Sequence, residues 1–294
     1  MNAAIEAVGL TKSFGDLVAV ARLDLVVPSG EVFGYLGPNG AGKTTTIRML
    51  LDFLHPSAGH ARVLGGSGAD PAVRARIGYL PAELAVDPRW SADDLVHFFA
   101  GIRGALDAVR YRELLDRFDL DGRRPTGELS TGNRRKVGIV QAFVHRPELL
   151  VLDEPTSGLD PLLQLEFQAL AREAAADGAT VFLSSHALHE VEVLADRVGI
   201  LRRGRLAAVS SVDALREQVL QRIDLYVNGT VDVAAFRALA EVREVQSADG
   251  LVRLVVEGSL DRVVKEAARH EVVRIVTPDT DLEDVFLRYY REQP

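Results

Sequence analysis

Eight consecutive residues, Gly37-Pro38-Asn39-Gly40-Ala41-Gly42-Lys43-Thr44, fit the spacing Gly-x4-Gly-Lys-Thr, with a further hydroxyl at Thr45. Lysine is scarce in this chain. Only Lys12, Lys43, Lys136 and Lys265 stand among 34 basic residues, so a Gly-x4-Gly-Lys match is improbable by chance. The chemistry explains the spacing. Glycines let successive backbone N–H groups turn toward one anion without a Cβ in the way. A helix opening at the end of the loop adds the positive end of its dipole. Lys43 supplies a compact charge for the outer phosphates, and Thr44 a hydroxyl for a magnesium ion. Residues 37–45 therefore predict a site for a nucleoside triphosphate and Mg²⁺.

Two more groups of residues share that chemistry. Val151-Leu152-Asp153-Glu154 ends an apolar run with adjacent acids, and His186 follows the apolar run Val181-Phe182-Leu183. Ligands of open α/β sheets bind beyond the carboxyl ends of the strands, where all three features are expected. Two carboxylates divide the work, because one committed to metal is poorly placed to take a proton. Asp153 is expected to hold Mg²⁺, through water, and Glu154 to act on the attacking water as general base. His186 is expected to contact the γ-phosphate and keep that water in line.

The elements that position these groups follow from periodicity. Residues 1–210 read as alternating strands and helices with a largely parallel sheet. Short strands are expected at Glu31–Leu36, Leu149–Leu152 and Thr180–Ser184, and a helix from Gly42. Residues 82–146 read as a helical lobe, with apolar steps through Leu95, Phe98 and Phe99 and through Leu114, Leu115 and Phe118. Core packing is the expected fate of both phenylalanines. After residue 210 the texture changes. Strands at 222–227, 244–247, 251–257 and 272–277, with helices at 234–240 and 260–270, give the split β-α-β order of a small ferredoxin-like α+β domain over 211–294. A last helix is expected over 282–290.

Composition excludes several functions. The 294 residues contain no cysteine, so there is no disulfide, thiolate metal site or cysteine nucleophile. Acidic residues outnumber basic ones 42 to 34, for a net charge of −8, which argues against nucleic acid as a partner. No apolar run reaches the roughly 18–20 residues that cross a bilayer, and the opening residues lack a signal peptide, so a cytoplasmic protein is expected.

Taken together, these segments resemble the ATP-binding cassette (ABC) subunits of membrane transporters. Leu129-Ser130-Thr131-Gly132-Asn133 stands where that family has its Leu-Ser-Gly-Gly-Gln signature. Ser157-Gly158-Leu159-Asp160 matches its D-loop, His186 its switch histidine, and Phe14 the aromatic position that stacks on adenine. The resemblance implies a P-loop NTPase α/β fold with a mixed sheet core and helical lobe, and ATP with Mg²⁺ as ligands. It implies two cassettes closing head to tail, so that Ser130, Thr131, Gly132 and Asn133 act on the ATP of a second copy. A separately encoded membrane permease is implied as the other partner, docked between core and lobe near Trp90, which would hold the subunit at the inner face of the membrane. The tail sequence Leu282-Glu283-Asp284-Val285-Phe286-Leu287 is similar to those of ABC-2 exporters of drugs and antibiotics. Two departures stand out. Thr131 and Asn133 replace Gly and Gln in the signature, and after Ile77-Gly78-Tyr79-Leu80-Pro81 the position of the family's coupling glutamine is Ala82, followed by Glu83. A soluble ABC-type ATPase of translation or DNA repair is the alternative. Against it, one chain holds one loop and one signature, with no heptads between them.

Overall fold

Glu31 to Leu36 is almost wholly apolar, as is Leu149–Asp153, and such runs form strands buried on both faces. The computed structural model describes residues 2–277, except 105, 218, 219, 230 and 249. It divides into two compact units, residues 1–209 and 210–294. In chain order the strands of the first unit are β1 (Ala3–Phe14), β2 (Leu17–Pro28), β3 (Val32–Leu36), β4 (Ala58–Val63), β5 (Ile77–Leu80), β6 (Leu149–Asp153), β7 (Thr180–Ser185), β8 (Arg197–Arg202) and β9 (Arg205–Ser211). Six of them make one sheet in the order β5-β6-β7-β3-β8-β9. The β5–β6, β6–β7, β7–β3 and β3–β8 pairs are parallel. The turn Arg203-Gly204, at positive φ in both residues, leads from β8 to β9.

The other three strands form a separate antiparallel sheet, β2-β1-β4. The alternating reading of residues 1–210 did not foresee this second sheet. The helix Lys43–Leu50 packs against β1, β2 and β4 and also against β6. Its buried side chains Ile47, Met49 and Leu50 join Leu10, Leu23, Phe33, Tyr35 and Phe182 in one continuous core. The loop that opens this helix is thus anchored by two sheets at once.

Between β5 and β6 lie the helices Ala92–Arg103, Ala108–Arg117 and Thr131–Phe143. The first begins in a reciprocal Ser91–Asp94 capping box and ends at Gly104, at φ 111°. It buries Ala92, Leu95 and Val96. Phe98 is half exposed and Phe99 partly so, contrary to the core packing expected of them. The buried stripe runs at 92-95-96, which leaves position 98 on its flank. The ring of Phe98 packs instead on Trp90 at 5.1 Å and on Phe99 at 5.4 Å. Among the described residues no helix is long and apolar enough to cross a membrane.

The second unit is a four-stranded antiparallel sheet: β10 (Leu220–Asn228), β11 (Val242–Ala248), β12 (Leu251–Glu257) and β13 (Glu271–Val276), in the order β11-β12-β10-β13. The helices Val233–Arg237 and Asp261–Ala267 each connect two strands separated in the sheet by one other. Phe236 and Val263 from these helices meet Ile223, Leu225, Val252, Leu254 and Val256 in a core of their own. The helix expected over 282–290 lies outside the described residues.

Candidate functional site

The phosphate-type loop leaves β3 at Leu36 and enters the helix at Lys43, held from three directions. The Gly37 N–H donates to the Ser185 carbonyl at 3.2 Å, and the Gly204 N–H donates to the Ala41 carbonyl at 2.9 Å. The glycines are dictated by space and by backbone. Gly42 has φ 107°, and a Cβ there would lie 2.5 Å from the Ala19 carbonyl oxygen. At Gly37 a Cβ would lie 2.7 Å from the Leu201 carbonyl oxygen. Gly40 also has positive φ, 78°, but open space around it. Behind the loop, the buried Tyr35 hydroxyl shares a hydrogen bond of 3.2 Å with Thr46, which in turn donates to the Gly42 carbonyl. Thr44 and Thr45, in the first turn, are partly accessible, and Pro38, Asn39 and Gly40 are exposed.

Register brings the remaining groups to the same edge. Leu36 lies level with Ser185, and Ser184 with Asp153, so the ends of β6, β7 and β3 stand side by side. Lys43, 6 % exposed, donates to the carbonyls of Gly37 (2.5 Å) and Pro38 (3.3 Å) and pairs with Glu154 Oε1 at 3.0 Å. The other oxygen of Glu154 meets His186 Nδ1 at 2.7 Å. Glu154 thereby bridges the loop lysine and the histidine. Its backbone is left-handed, φ 50°, a conformation uncommon outside glycine and retained where the surroundings hold it. Asp153 is fully buried. One of its oxygens accepts from the Ser184 hydroxyl at 2.6 Å, and the other has no hydrogen-bond partner among the described residues. A buried carboxylate oxygen without a partner is disfavoured unless something electropositive comes to it. This donor set fits a hard cation with oxygen ligands, with Asp153 and Thr44 to hold it.

The signature residues are placed apart from this cluster. Among the described residues, Ser130 to Asn133 make no hydrogen bond or ion pair with Lys43, Asp153, Glu154 or His186. Ser130 caps the helix Thr131–Phe143, its hydroxyl accepting from the Asn133 N–H at 3.2 Å. Gly132 lies against the D-loop: a Cβ there would be 3.0 Å from the Gly158 carbonyl oxygen. Asp160 caps the helix Pro161–Ala176 through the Leu163 N–H at 3.0 Å. Ser130, Thr131 and Asp160 are solvent-exposed. Phe14 ends β1, is 49 % exposed and has Lys12 Nζ 5.3 Å from its ring centroid. It pairs with Leu17, two residues before the Ala19 carbonyl that lies against Gly42. Ala82 and Glu83 are exposed, and Glu83 lines a groove of about 500 Å³ between core and lobe, with Tyr79, Phe99 and Arg103.

Two residues that matter here were missed by sequence reasoning. Ser184 holds Asp153 through its hydroxyl, and its oxygen also receives the Glu154 N–H at 3.0 Å. Two serines ending an otherwise apolar strand were the available signal. Arg135, 5 % exposed, reaches from the Thr131–Phe143 helix to the backbone carbonyls around both acids. Burial pushes its guanidinium down to about 10, and the nearby Asp153 and Glu154 charges oppose that shift. Its signal was a charged residue on the stripe shared with Ile139 and Phe143.

A family model described as "ABC transporter" matches residues 20–157. A daunorubicin-resistance ATP-binding protein of Streptomyces coeruleorubidus is 37% identical over 98% of this chain and 92% of its own length. A bacitracin transport ATP-binding protein of Bacillus licheniformis is 31% identical, over 98% of this chain and 97% of its own. A probable multidrug ABC transporter ATP-binding protein of Escherichia coli is 36% identical over 73% of this chain, which spans only 38% of that protein's length. A solved structure of an ATP-binding subunit of an ABC transporter superposes with TM-score 0.67 and 30% identity, covering 72% of this chain and 92% of its own. A dimeric cassette bound to ADP and Pi shares the fold at TM-score 0.65 and 21% identity, over 71% of this chain and 98% of its own. The chain belongs to the ATP-binding subunits of the ABC transporter family.

Proposed function

We propose that this chain binds ATP with Mg²⁺ and hydrolyses it to drive a separately encoded membrane permease that exports a hydrophobic compound or antibiotic. The observation that carries the reading is the contact of Lys43, Glu154 and His186 at the ends of three adjacent strands. Lys43 is held by Glu154 and by two loop carbonyls. Arriving phosphates compete for the ammonium and for the loop amides, and they release Glu154 from its ion pair. The freed carboxylate, still beside His186, is placed to accept a proton from water attacking the γ-phosphate. His186 holds that water or phosphate oxygen through its ring. When bound by Asp153 and Thr44, Mg²⁺ shields the negative charge of the phosphates. Phe14 offers an exposed face for the adenine.

The site is incomplete in one copy. Ser130 and Thr131 stand exposed at the start of a helix that is buried from Arg135 to Phe143, and make no hydrogen bond or ion pair with Lys43 among the described residues, as suits a group that grips phosphate on another subunit. A homodimer with two composite sites follows, with Asp160 at its seam. The groove bounded by Tyr79, Leu84, Phe99 and Arg103 is the surface for the permease, which would keep the chain peripheral at the cytoplasmic face of the membrane. The names of the drug, daunorubicin and bacitracin relatives support export. Residues 211–294 are read as an accessory domain, whose described strands and helices between Leu220 and Val276 follow the split β-α-β order.

Phosphate release by the purified chain, compared with Glu154→Gln, tests the proposal. Replacing a general base should lower kcat by about 10²–10⁴-fold with nucleotide binding retained. Turnover equal to the parent chain would place the base elsewhere.

A further inference from the structure

Among the described residues Arg135 makes no hydrogen bond or ion pair with a carboxylate, yet its side chain is almost completely withdrawn from water. Its charge is met by five backbone carbonyl oxygens. Nε donates to Pro155 at 3.1 Å, Nη1 to Ala82 at 2.9 Å and to Pro81, and Nη2 to Asp153 at 2.6 Å and to Glu154. Arginine is the one side chain with five N–H donors in a fixed fork, and here five carbonyl groups receive them. Lysine offers three donors without a plane, and glutamine offers two.

The five carbonyls fall into two sets. Three belong to the consecutive residues Asp153, Glu154 and Pro155, around the one residue of the site whose φ is left-handed without being glycine. The other two belong to Pro81 and Ala82, and Pro81 lines the groove between core and lobe. The Glu154 N–H is held from the opposite side by Ser184. Ser184 and Arg135 therefore hold the Glu154 backbone at both its N–H and its carbonyl. Ala82 has a methyl group and nothing to extend toward the phosphates, so the hydrogen bonds that join the 81–82 segment to the reacting end of the site pass through Arg135.

We propose that Arg135 is a positioning residue: by fixing the backbone of residues 153–155 against Pro81–Ala82, it aims the Glu154 carboxylate at the attacking water. It touches neither nucleotide nor water itself, and the inference rests on Glu154 acting as the general base. A lost or shifted hydrogen bond here displaces the carboxylate by a fraction of its working distance. A misplacement near 1 Å is worth about 10²-fold in rate.

The test uses the full chain and the variants Arg135→Lys and Arg135→Gln, each alone and combined with Glu154→Gln. Phosphate release gives kcat and KM, and calorimetry gives the affinity for ADP. The expected result for Arg135→Lys is a kcat lower by about 10–100-fold, with KM and ADP affinity within about twofold of the parent chain. Arg135→Gln should fall further. In the Glu154→Gln background neither change should slow the residual rate more than about twofold, because a group that acts through Glu154 has nothing left to aim. An unchanged kcat overturns the proposal, as does a loss that multiplies with that of Glu154→Gln. Loss of ADP binding or of folded structure in both variants also overturns it, since Arg135 would then be holding the fold rather than the base. Failure of the general-base reading is separately visible, as normal turnover by the Glu154→Gln single variant.

Discussion

Glu154→Gln should tighten the binding of ADP, in addition to its effect on hydrolysis. The Lys43 ammonium is held by Glu154 Oε1 at 3.0 Å, with the pair 6 % and 16 % exposed. A ligand that recruits Lys43 to its β-phosphate must first break this contact. A hydrogen bond to a charged partner contributes about 1.5–3 kcal/mol. The accessible edge of Glu154, and the two loop carbonyls that remain for Lys43, reduce that to about 1–2 kcal/mol. Glutamine is isosteric, and its amide can still meet Lys43 and His186 as a neutral group. Removing a carboxylate that repels the phosphates acts in the same direction. At 1.4 kcal/mol per tenfold, the Kd for ADP should fall by about 5- to 30-fold. Calorimetric titration with ADP is the assay, because ADP is not hydrolysed and lacks the γ-phosphate. AMP serves as the control, and its affinity should be the same for both chains within about twofold. An ADP affinity unchanged or weakened in Glu154→Gln would refute the idea that Glu154 competes with nucleotide for Lys43.

Gly42→Ala should lower stability by about 2–5 kcal/mol and abolish nucleotide binding. It puts a Cβ 2.5 Å from the Ala19 carbonyl oxygen on a residue at φ 107°. Gly40→Ala, with open space around it, should lose only about 1 kcal/mol; denaturant midpoints separate the two. Asp153→Asn should keep nucleotide binding in EDTA but lose Mg²⁺-dependent phosphate release by at least about 10²-fold, since the partnerless oxygen is the one offered to the cation. His145, whose Nε2 meets the Ile77 carbonyl while Nδ1 has no hydrogen-bond partner among the described residues, predicts acid sensitivity. Burial, and then the Arg103 charge, push its imidazole down to about 4 from 6.5. The unfolded chain therefore takes up the proton first. The stability due to neutral His145 is complete above pH 6.5 and declines as the pH falls toward 4. Between pH 7.5 and pH 5 this amounts to about 2 kcal/mol. The denaturant midpoint of His145→Gln should be less sensitive to that change of pH.

The parts of the site carried by buried parallel strands were legible in the sequence. Strands β3, β6 and β7 are buried at every position, so each reads as an unbroken apolar run with its chemistry at the carboxyl end. The antiparallel sheet was not. β1 contains Gly9 at φ 56°, and its pairing with β2 shifts register several times, so two-residue alternation is repeatedly interrupted. Phe98 was assigned to the core because steps of three and four fit more than one helical face. The buried face is the one bearing Ala92, Leu95 and Val96, and Phe98 at its flank packs on Trp90. Arg135 was legible only as an oddity, since a charge on an apolar stripe does not say which distant carbonyls will solvate it. The contact of Lys43 with Glu154 joins residues 111 positions apart and depends on strand order, which no local pattern encodes.

The central claim is that the loop of one copy and the Ser130 helix of another enclose a single ATP. Light scattering on Glu154→Gln with saturating Mg·ATP measures this most directly. The molar mass should double from that of one 32.0 kDa chain, and Ser130→Trp, which blocks the helix start, should abolish the doubling. A Glu154→Gln chain that binds ATP yet keeps the mass of a monomer would contradict the account.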